Sequence, residues 1–152
     1  MRATGTMSYT NLLYHIVFGT KGRLSMIPPE LKPQLHQYLG GIVRGLGGIA
    51  LEINGMEDHV HLLVKLRPTI CFSDFLRDLK SNSSSWAKEN GFKGFGWQRR
   101  YGAFTVSESQ IEIVRKYIRN QEIHHKKFDF KSEFETLLGA NGIMVDDFVW
   151  QD

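Results

Sequence analysis

The fold of this chain is decided by residues 49–66, which read IALEINGMEDHVHLLVKL. Two runs rich in aliphatic residues, Ile49–Ile53 and Val60–Leu66, flank a polar segment that contains the pair Asn54-Gly55. Aliphatic runs of this length are typical of strands, and an Asn-Gly pair tolerates the positive φ angles of a hairpin turn. The stretch therefore predicts a β-hairpin with its turn within residues 54–58.

Alternation along the second strand separates two kinds of side chain. One face carries His59, His61, Leu63 and Lys65, and the other carries Val60, Leu62, Val64 and Leu66. Two imidazoles about 7 Å apart along a strand can bind one divalent cation. A His-x-His pair alone is a weak signal, because two polar residues near a turn give the same pattern. The alternation predicts a core on the aliphatic face and a candidate site on the histidine face.

Hydrophobic spacing and breaker residues predict the remaining elements. We expect a strand over Tyr9–Thr20, a helix from Glu30 to about Gly47, a helix from Phe72 to about Asn90, a short strand over Ala103–Val106, a helix from Ser107 or Ser109 to about His125, and a short helix around Phe130, Phe134, Leu137 and Leu138. The order β-α-β-β-α-β-α predicts an α+β, ferredoxin-like (RRM-like) sandwich. In that fold an antiparallel sheet has helices on one face, and we expect the other face to be free for a ligand.

Length and composition predict one domain. The chain has 152 residues, 41% of them hydrophobic, so we expect a single domain over residues 9–152 after a flexible tail over residues 1–8. The apolar segment Met144–Trp150 is expected to dock on the core or on a second subunit. Cys71 is the only cysteine, which excludes an intrachain disulfide and a cysteine-based zinc site.

The charge and hydropathy of the chain limit its partners only loosely. No stretch approaches the roughly 20 apolar residues that a membrane span requires, so we expect no membrane partner and a cytoplasmic location. The net charge of +3 permits a nucleic-acid partner without requiring one.

Tyr117 and Gln121 form a second candidate pair. They are four residues apart in a predicted helix, so they share one face with Cβ atoms about 5–6 Å apart. One side chain can then hold a metal while the other reaches a substrate. A tyrosine in the middle of a helix is more often a packing residue, and the histidine pair is what favours a functional role.

Aromatic and basic residues alternate between Phe92 and Tyr101. Rings such as Trp97 can stack on unpaired bases, and Arg99 and Arg100 can bind phosphates, although the rings could equally pack against the core. Further basic residues could extend this surface, namely Lys80, Arg115, Arg119, Lys126 and Lys127. The stretch favours single-stranded nucleic acid as a ligand.

Four separated motifs, in order, carry a resemblance to a known family. They are YHIVF at residues 14–18, DHVHLL at 58–63, WQRRYGAF at 97–104 and YIRNQEIHH at 117–125. The chain resembles the single-tyrosine transposases of the HUH superfamily, of the insertion-sequence-200/605 (IS200-like) type, from about Tyr9 to Trp150. HUH denotes two histidines around a bulky apolar residue, here His59-Val60-His61.

The resemblance implies a metal-dependent reaction on DNA. His59, His61 and Gln121 are implied to bind Mg²⁺ or Mn²⁺, and Tyr117 to attack the scissile phosphate of single-stranded DNA, giving a 5′-phosphotyrosine that a 3′-OH later reverses. No nucleotide cofactor is then expected, because the enzyme link keeps the phosphoester. The three metal donors are neutral, so we expect Mg²⁺ to bind weakly until DNA arrives.

The family also implies partners and leaves roles open. Its members act as homodimers on hairpin ends of the transposon, with the tyrosine helix of one subunit serving the histidines of the other. Tyrosine titrates near pH 10, so Tyr117 must be activated by the metal-polarised phosphate or by a proton acceptor, for which Glu57, Asp58 and water are the candidates. His124 and His125 are expected to have structural or DNA-proximal roles.

Three alternatives remain. A histidine-triad nucleotide hydrolase would need a third histidine where Leu63 stands. A structural zinc site would need a further ligand from His15, His36 or Cys71. The alternative of a different class is a non-catalytic, single-stranded nucleic-acid-binding module derived from a transposase.

Overall fold

The computed structural model describes residues 8–146 and contains one four-stranded antiparallel sheet. Its strands are β1 (Leu12–Gly19), β2 (Ile49–Met56), β3 (His59–Leu66) and β4 (Gly102–Val106), and its helices are α1 (Lys32–Gly45), α2 (Phe72–Glu89), α3 (Ile111–Arg119), α4 (Gln121–His124) and α5 (Phe130–Ala140). The strand order is β2-β3-β1-β4. The predicted α+β, ferredoxin-like fold is therefore confirmed. The two longest helices, α1 and α2, lie within about two residues of their predicted positions.

One face of the sheet packs against α1 and α2 mainly through aliphatic and aromatic side chains. The alternate residues of β1 and β3 that point to this side are fully or almost fully buried, namely Ile16, Phe18, Val60, Leu62, Val64 and Leu66. They meet Leu35, Leu39 and Val43 of α1 and Phe75, Leu76 and Leu79 of α2. Burial of this apolar surface provides most of the favourable free energy of folding.

The other face, which we expected to be free for a ligand, is covered by α3, α4 and α5. The helix α3 packs against β2 and β3, and α4 packs against β2. A smaller apolar cluster anchors α5, formed by Val17, Phe104, Phe130, Phe134 and Leu138. The expectation failed because the aromatic residues of α5 need burial and this face offers the nearest apolar strand positions.

The hairpin turn occupies only the last two residues of the predicted segment 54–58. β2 continues through Asn54, Gly55 and Met56, and only Glu57 and Asp58 form the turn. Gly55 is needed for close approach and not for a positive φ, because a Cβ there would collide with the backbone of His59. The Asn54 amide donates to the carbonyl oxygens of Ile118 and Arg119, at 2.9 and 3.1 Å.

The predicted helix that ends near His125 is divided at Asn120. Ser107 makes no side-chain capping bond, a 3-10 turn over Glu108–Gln110 precedes α3, and Asn120 (φ −95°, ψ 22°) separates α3 from α4. Tyr117 therefore lies in the last turn of α3 and Gln121 begins α4. The Asn54 side chain thus binds carbonyl oxygens at the point where the helix is interrupted.

Two predicted segments lie wholly or partly outside the described residues. Of the tail predicted over residues 1–8 only Ser8 is described, and of the segment Met144–Trp150 only residues 144–146 are. Among the helices of residues 8–146, none has the length and apolar composition needed to cross a bilayer.

Candidate metal and nucleophile site

The three predicted metal ligands lie together under the second face of the sheet. His59 and His61 come from β3 and Gln121 from the first position of α4, and all three are fully buried. His59 Nε2 lies 2.9 Å from Gln121 Oε1. Side chains 62 positions apart in sequence are thus in direct contact, as a shared ion would require.

A carboxylate that the sequence reading missed occupies the centre of this group. Glu133 of α5 is 7% exposed, and its Oε1 lies 3.2 Å from His59 Nε2 and 3.1 Å from His61 Nε2. Its Oε2 accepts a hydrogen bond from Gln121 Nε2 at 2.7 Å. His59, His61 and Glu133 each offer a ligand atom within 4.8 Å of the others. A sequence signal existed, because Glu133 interrupts an apolar stripe at helical spacing between Phe130 and Leu137.

Two glycines allow α5 to lie close to the sheet. A Cβ at Gly19 of β1 would lie 2.6 Å from Phe130 Cε2, and one at Gly102 of β4 would lie 2.7 Å from Phe134 Cε1. Phe130 stacks on the His59 ring with centroids 4.1 Å apart and planes at 7°. The close approach brings Glu133, between these two aromatic residues, to the histidines.

Neighbouring residues fix the orientation of both imidazoles. His59 Nδ1 donates to Asp58 Oδ1 at 2.7 Å, and His61 Nδ1 is hydrogen bonded to His15 Nε2 at 2.9 Å. Both Nε2 atoms are thereby directed toward Glu133. Partners of this kind hold a ligating histidine in one orientation and tautomer.

Burial and hydrogen bonding shift the pKa values of the group in opposite directions. Burial lowers the pKa of His59, but the bonds to Asp58 and Glu133 outweigh it and raise that pKa to about 9. For His61 burial prevails over the contact with Glu133 and lowers the pKa to about 4. Burial tends to raise the pKa of Glu133, yet the hydrogen bonds from His125, His59 and His61 hold it far below its usual range. These shifts favour an anionic Glu133 beside a protonated His59.

Tyr117 contacts the same carboxylate. Its hydroxyl donates to Glu133 Oε2, and burial together with this bond raises the pKa of the phenol. Cavities of about 210 Å³ and 520 Å³ both border Tyr117 and Leu137. The phenol therefore lies at the edge of open space, whereas the three metal donors lie behind it.

The acidic residues that we named as proton acceptors do not face Tyr117. The Asp58 carboxylate binds the far edge of the His59 ring, and Glu57 is exposed in the hairpin turn. The carboxylate in contact with the phenol is that of Glu133. Of the two later histidines, His125 donates toward Gln121 Oε1 and Glu133 Oε1, at 3.1 and 3.0 Å, and His124 stacks near the Tyr117 ring with centroids 4.7 Å apart.

Two of the predicted DNA-binding residues have structural contacts. Lys80 Nζ donates to the carbonyl oxygens of Gln98 and Arg99, at 2.6 and 2.9 Å. Trp97 is half-buried, with its ring edge-on to Phe18 at 4.7 Å. These contacts shape the loop before β4 and leave part of each side chain at the surface.

The arginines predicted to bind DNA lie at the surface. Arg99 and Arg100 are exposed, and Arg99 lines a cleft of about 440 Å³ together with Lys80 and Trp97. Arg119 pairs with Glu52 at 3.1 Å. Trp97, Arg99 and Arg100 thus lie along one loop, Lys80 of α2 binds the backbone of that loop, and Arg119 lies apart from them on α3.

The donor set suits a divalent cation. The amide oxygen of Gln121 is a ligand type that Mg²⁺ and Mn²⁺ prefer, and the imidazole nitrogens of His59 and His61 are ligand types of divalent transition metals. Their orientation by Asp58 and His15 is the second layer of contacts that metal sites require. His59, His61 and Gln121 therefore fit the ion that the resemblance implies.

Comparison with known proteins gives a family match and several relatives. The family model described as "Transposase IS200 like" matches residues 8–121. The ISDra2 transposase TnpA of Deinococcus radiodurans is 33% identical over 119 residues, covering 72% of this chain and 84% of that protein. A transposase for insertion sequence element IS200 from Salmonella typhimurium is 29% identical over 122 residues, covering 73% of this chain and 77% of that protein.

Two solved structures share the fold. The crystal structure of a putative transposase from Deinococcus radiodurans R1 superposes with a TM-score of 0.64 at 28% identity, covering 79% of this chain and 98% of the other. A REP-associated tyrosine transposase bound to a REP hairpin superposes with a TM-score of 0.61 at 15% identity, covering 95% and 89%. At that identity the second likeness supports the fold alone.

Proposed function

This chain belongs to the IS200-like transposase family, and on that premise we propose that it cuts and rejoins single-stranded DNA with Tyr117 as the nucleophile and a divalent metal as cofactor. The observation that carries the proposal is the meeting of His59, His61, Gln121 and Tyr117 around one carboxylate. These residues come from β3, α3 and α4, and packing alone does not require polar groups from three elements to converge.

The chain's own donors define where the metal would bind. His59 Nε2, His61 Nε2 and Gln121 Oε1 would hold Mg²⁺ or Mn²⁺, with Asp58 and His15 keeping the two rings in orientation. A bound ion would supply positive charge to the non-bridging oxygens of the scissile phosphate and so stabilise the charge of the transition state.

Tyr117 performs the covalent step. Its phenolic oxygen forms a bond to phosphorus and passes its proton to water, while the bond from phosphorus to the 3′ oxygen breaks and that oxygen takes up a proton from water. The products are a 5′-phosphotyrosine and a free 3′-OH. The link conserves the phosphoester, so a 3′-OH that attacks it rejoins the strand without an energy source.

Single-stranded DNA with a hairpin end is the proposed substrate. The cleft beside Lys80, Trp97 and Arg99 offers cationic groups for phosphates and an aromatic edge for bases, and Arg100 extends it. Arg119 would contribute only after it releases Glu52. Binding to such a surface should weaken as salt rises, because phosphate contacts release counterions.

We further propose that the chain is a cytoplasmic enzyme and forms homodimers, as its resemblance to the family implies. Within one chain His59, Gln121 and Tyr117 lie in one group, whereas the resemblance implies that the tyrosine helix of one subunit serves the histidines of the other. The molar mass of the protein in solution, by light scattering, tests the dimer separately from the reaction.

Denaturing electrophoresis tests the nucleophile. Purified protein is incubated with Mn²⁺ and a library of single-stranded hairpins with randomised flanks, and a covalent adduct is expected from the wild type and not from Tyr117→Phe. Loss of the nucleophile should lower adduct formation by about 10⁴-fold or more. Tyr38→Phe, which removes a partly exposed phenol on α1, is the matched control and should keep the adduct.

Two other results are informative. An adduct that survives in Tyr117→Phe contradicts the assignment of the nucleophile. Saturated DNA binding by the wild type with no adduct in Mn²⁺ or Mg²⁺ favours the alternative, a single-stranded nucleic-acid-binding module derived from a transposase.

A further inference from the structure

Glu133 is a buried carboxylate whose position the roles of Tyr117, His59, His61 and Gln121 do not explain. It lies on α5, beyond the residues 8–121 that match the family model. Burying a carboxylate is costly unless charges and donors compensate it. Here both oxygens point at the proposed metal donors and at the nucleophile, so the position demands a specific reason.

The spacing of the atoms around Glu133 is that of ligands on one ion. For an ion with bonds of about 2.1 Å at right angles, neighbouring ligand atoms lie about 3.0 Å apart. Glu133 Oε1 lies 3.2 and 3.1 Å from the Nε2 atoms of His59 and His61, and Gln121 Oε1 lies 2.9 Å from His59 Nε2. All three separations fall close to this value.

The orientation of the neighbours supports the same interpretation. The Nδ1 atoms of His59 and His61 are engaged by Asp58 and His15, so each ring can present only its Nε2 atom to a metal. Both Nε2 atoms face Glu133 Oε1. The Gln121 amide donates its Nε2 to Glu133 Oε2 at 2.7 Å, which turns its oxygen toward His59.

We propose that Glu133 is the fourth protein ligand of the divalent-metal site, through Oε1, while its Oε2 keeps the Tyr117 hydroxyl beside the metal. This inference rests on the proposed metal site. It changes the expected behaviour of that site, because three neutral donors hold Mg²⁺ or Mn²⁺ weakly, whereas an added anionic ligand attracts the cation directly. The chain should then bind Mn²⁺ before DNA arrives.

Titration of the DNA-free protein with Mn²⁺ tests the proposal without any measure of activity. The electron paramagnetic resonance signal of free Mn²⁺ gives the dissociation constant. Glu133→Gln is expected to weaken binding at least about tenfold, since it removes the only negative charge among the ligands. Glu122→Gln is the matched control, because it removes a 70% exposed carboxylate next to Gln121 and should leave the affinity unchanged.

A second readout follows the coordination itself. The visible absorption bands of bound Co²⁺ respond to ligand number and type, so Glu133→Gln should change their position or intensity at saturating Co²⁺, and Glu122→Gln should not. If Glu133→Gln does not fold, as judged by circular dichroism, Glu133→Asp replaces it. The shorter carboxylate is expected to shift the bands and to weaken Mn²⁺ binding by a smaller factor.

Each outcome supports or overturns the inference. Equal Mn²⁺ affinity of the wild type and Glu133→Gln overturns it, and so does a lowered melting temperature with unchanged affinity and Co²⁺ bands, which is the signature of a purely structural residue. Failure of the DNA-free wild type to bind Mn²⁺ also overturns it. The proposed function is judged separately: His61→Ala should lose metal binding, and Tyr117→Phe the DNA adduct, whatever Glu133 does.

Discussion

The two faces of the sheet are built on different principles. The core face, where β1 and β3 meet α1 and α2, is packed by aliphatic and aromatic side chains such as Phe18 and Leu39. The site face, under α3, α4 and α5, has a small apolar cluster around Val17 and Phe134, and beside it the histidines, Gln121, Glu133 and Tyr117. One sheet thus has a largely apolar layer on one side and a buried polar network on the other.

The two faces differ in what they contribute: one mainly stabilises the fold, and the other holds the polar groups of the candidate site. Apolar burial is non-directional and tolerates changes of shape at moderate cost, so the core face can specify the fold by pattern alone. Buried polar groups are tolerated only when each is hydrogen bonded, which makes the site face an all-or-none network. We therefore expect substitutions on the core face to change stability, and those on the site face to change metal binding and reaction.

The largest effect expected on the core face comes from truncating a central side chain. Leu39→Ala removes a fully buried side chain of α1 and should lower the free energy of unfolding by about 2–5 kcal/mol, because a cavity remains. Urea denaturation measures this. Gln37→Ala, an exposed change in the same helix, should stay within about 0.5 kcal/mol. Altered Mn²⁺ affinity in the folded Leu39→Ala protein would break the separation between the faces.

A smaller effect is expected where the site face is disturbed without touching a ligand. Asp58→Ala removes the acceptor for His59 Nδ1 and should weaken Mn²⁺ binding by about 10- to 100-fold, since the ring loses its fixed orientation. Mn²⁺ titration measures it, and Asp78→Ala, at an exposed pair with Arg77, is the control. An unchanged affinity in Asp58→Ala would show that packing alone orients His59.

The smallest effect concerns a histidine on α1, the side of the sheet that is otherwise apolar. Burial, with a contribution from Lys32, lowers the pKa of His36 from 6.5 to about 4, and no hydrogen-bond partner was found for its Nε2 among the described residues. The unfolded chain therefore binds this proton more readily than the folded one, so stability is fully present above pH 6.5 and is lost as the pH falls toward 4. By linkage, protonation of His36 in the unfolded chain lowers the free energy of unfolding at pH 5 by at most about 2 kcal/mol.

His36→Gln should remove this acid sensitivity. At pH 8 we expect the free energy of unfolding of the variant to equal that of the wild type, apart from the cost of the substitution itself. At pH 5 the variant should be more stable than the wild type by up to about 2 kcal/mol. Urea denaturation at the two pH values, with the nearby exposed change Gln37→Ala as control, measures the difference. A constant difference between His36→Gln and the wild type at both pH values would mean that His36 does not titrate on unfolding.

The elements whose hydrophobic residues repeat regularly were predictable, whereas the residues of the hairpin turn were predicted only to within the segment 54–58. The alternation along β3 and the helical spacing in α1 and α2 gave their type and nearly their ends, because each repeats the same burial preference many times. The Asn54-Gly55 pair was misplaced as a turn because both features that mark a turn, a small residue and a side-chain amide, serve tertiary contacts here. Gly55 admits the His59 backbone, and Asn54 holds the end of α3.

The candidate site shows the same division. The spacing of His59 and His61 on a strand, and the motif around Tyr117 and Gln121, were sufficient to name four residues that the structure brings into one group. Glu133 was missed although it breaks an apolar stripe, because a single polar residue in a helix is ordinarily solvated. Only the docking of α5 over Gly19 and Gly102 turns it inward.

Local periodicity and short motifs were enough to give the strands, most of the helices, their order and the family to which the chain belongs. Three features depend on the tertiary structure: helices cover the second face of the sheet, Glu133 contacts the two histidines, and Tyr117 donates a hydrogen bond to the Glu133 carboxylate. The physical reason is distance along the chain. Periodicity records what each residue prefers among its near neighbours, whereas contacts between β3 and α5 depend on how whole elements pack, which no local pattern encodes.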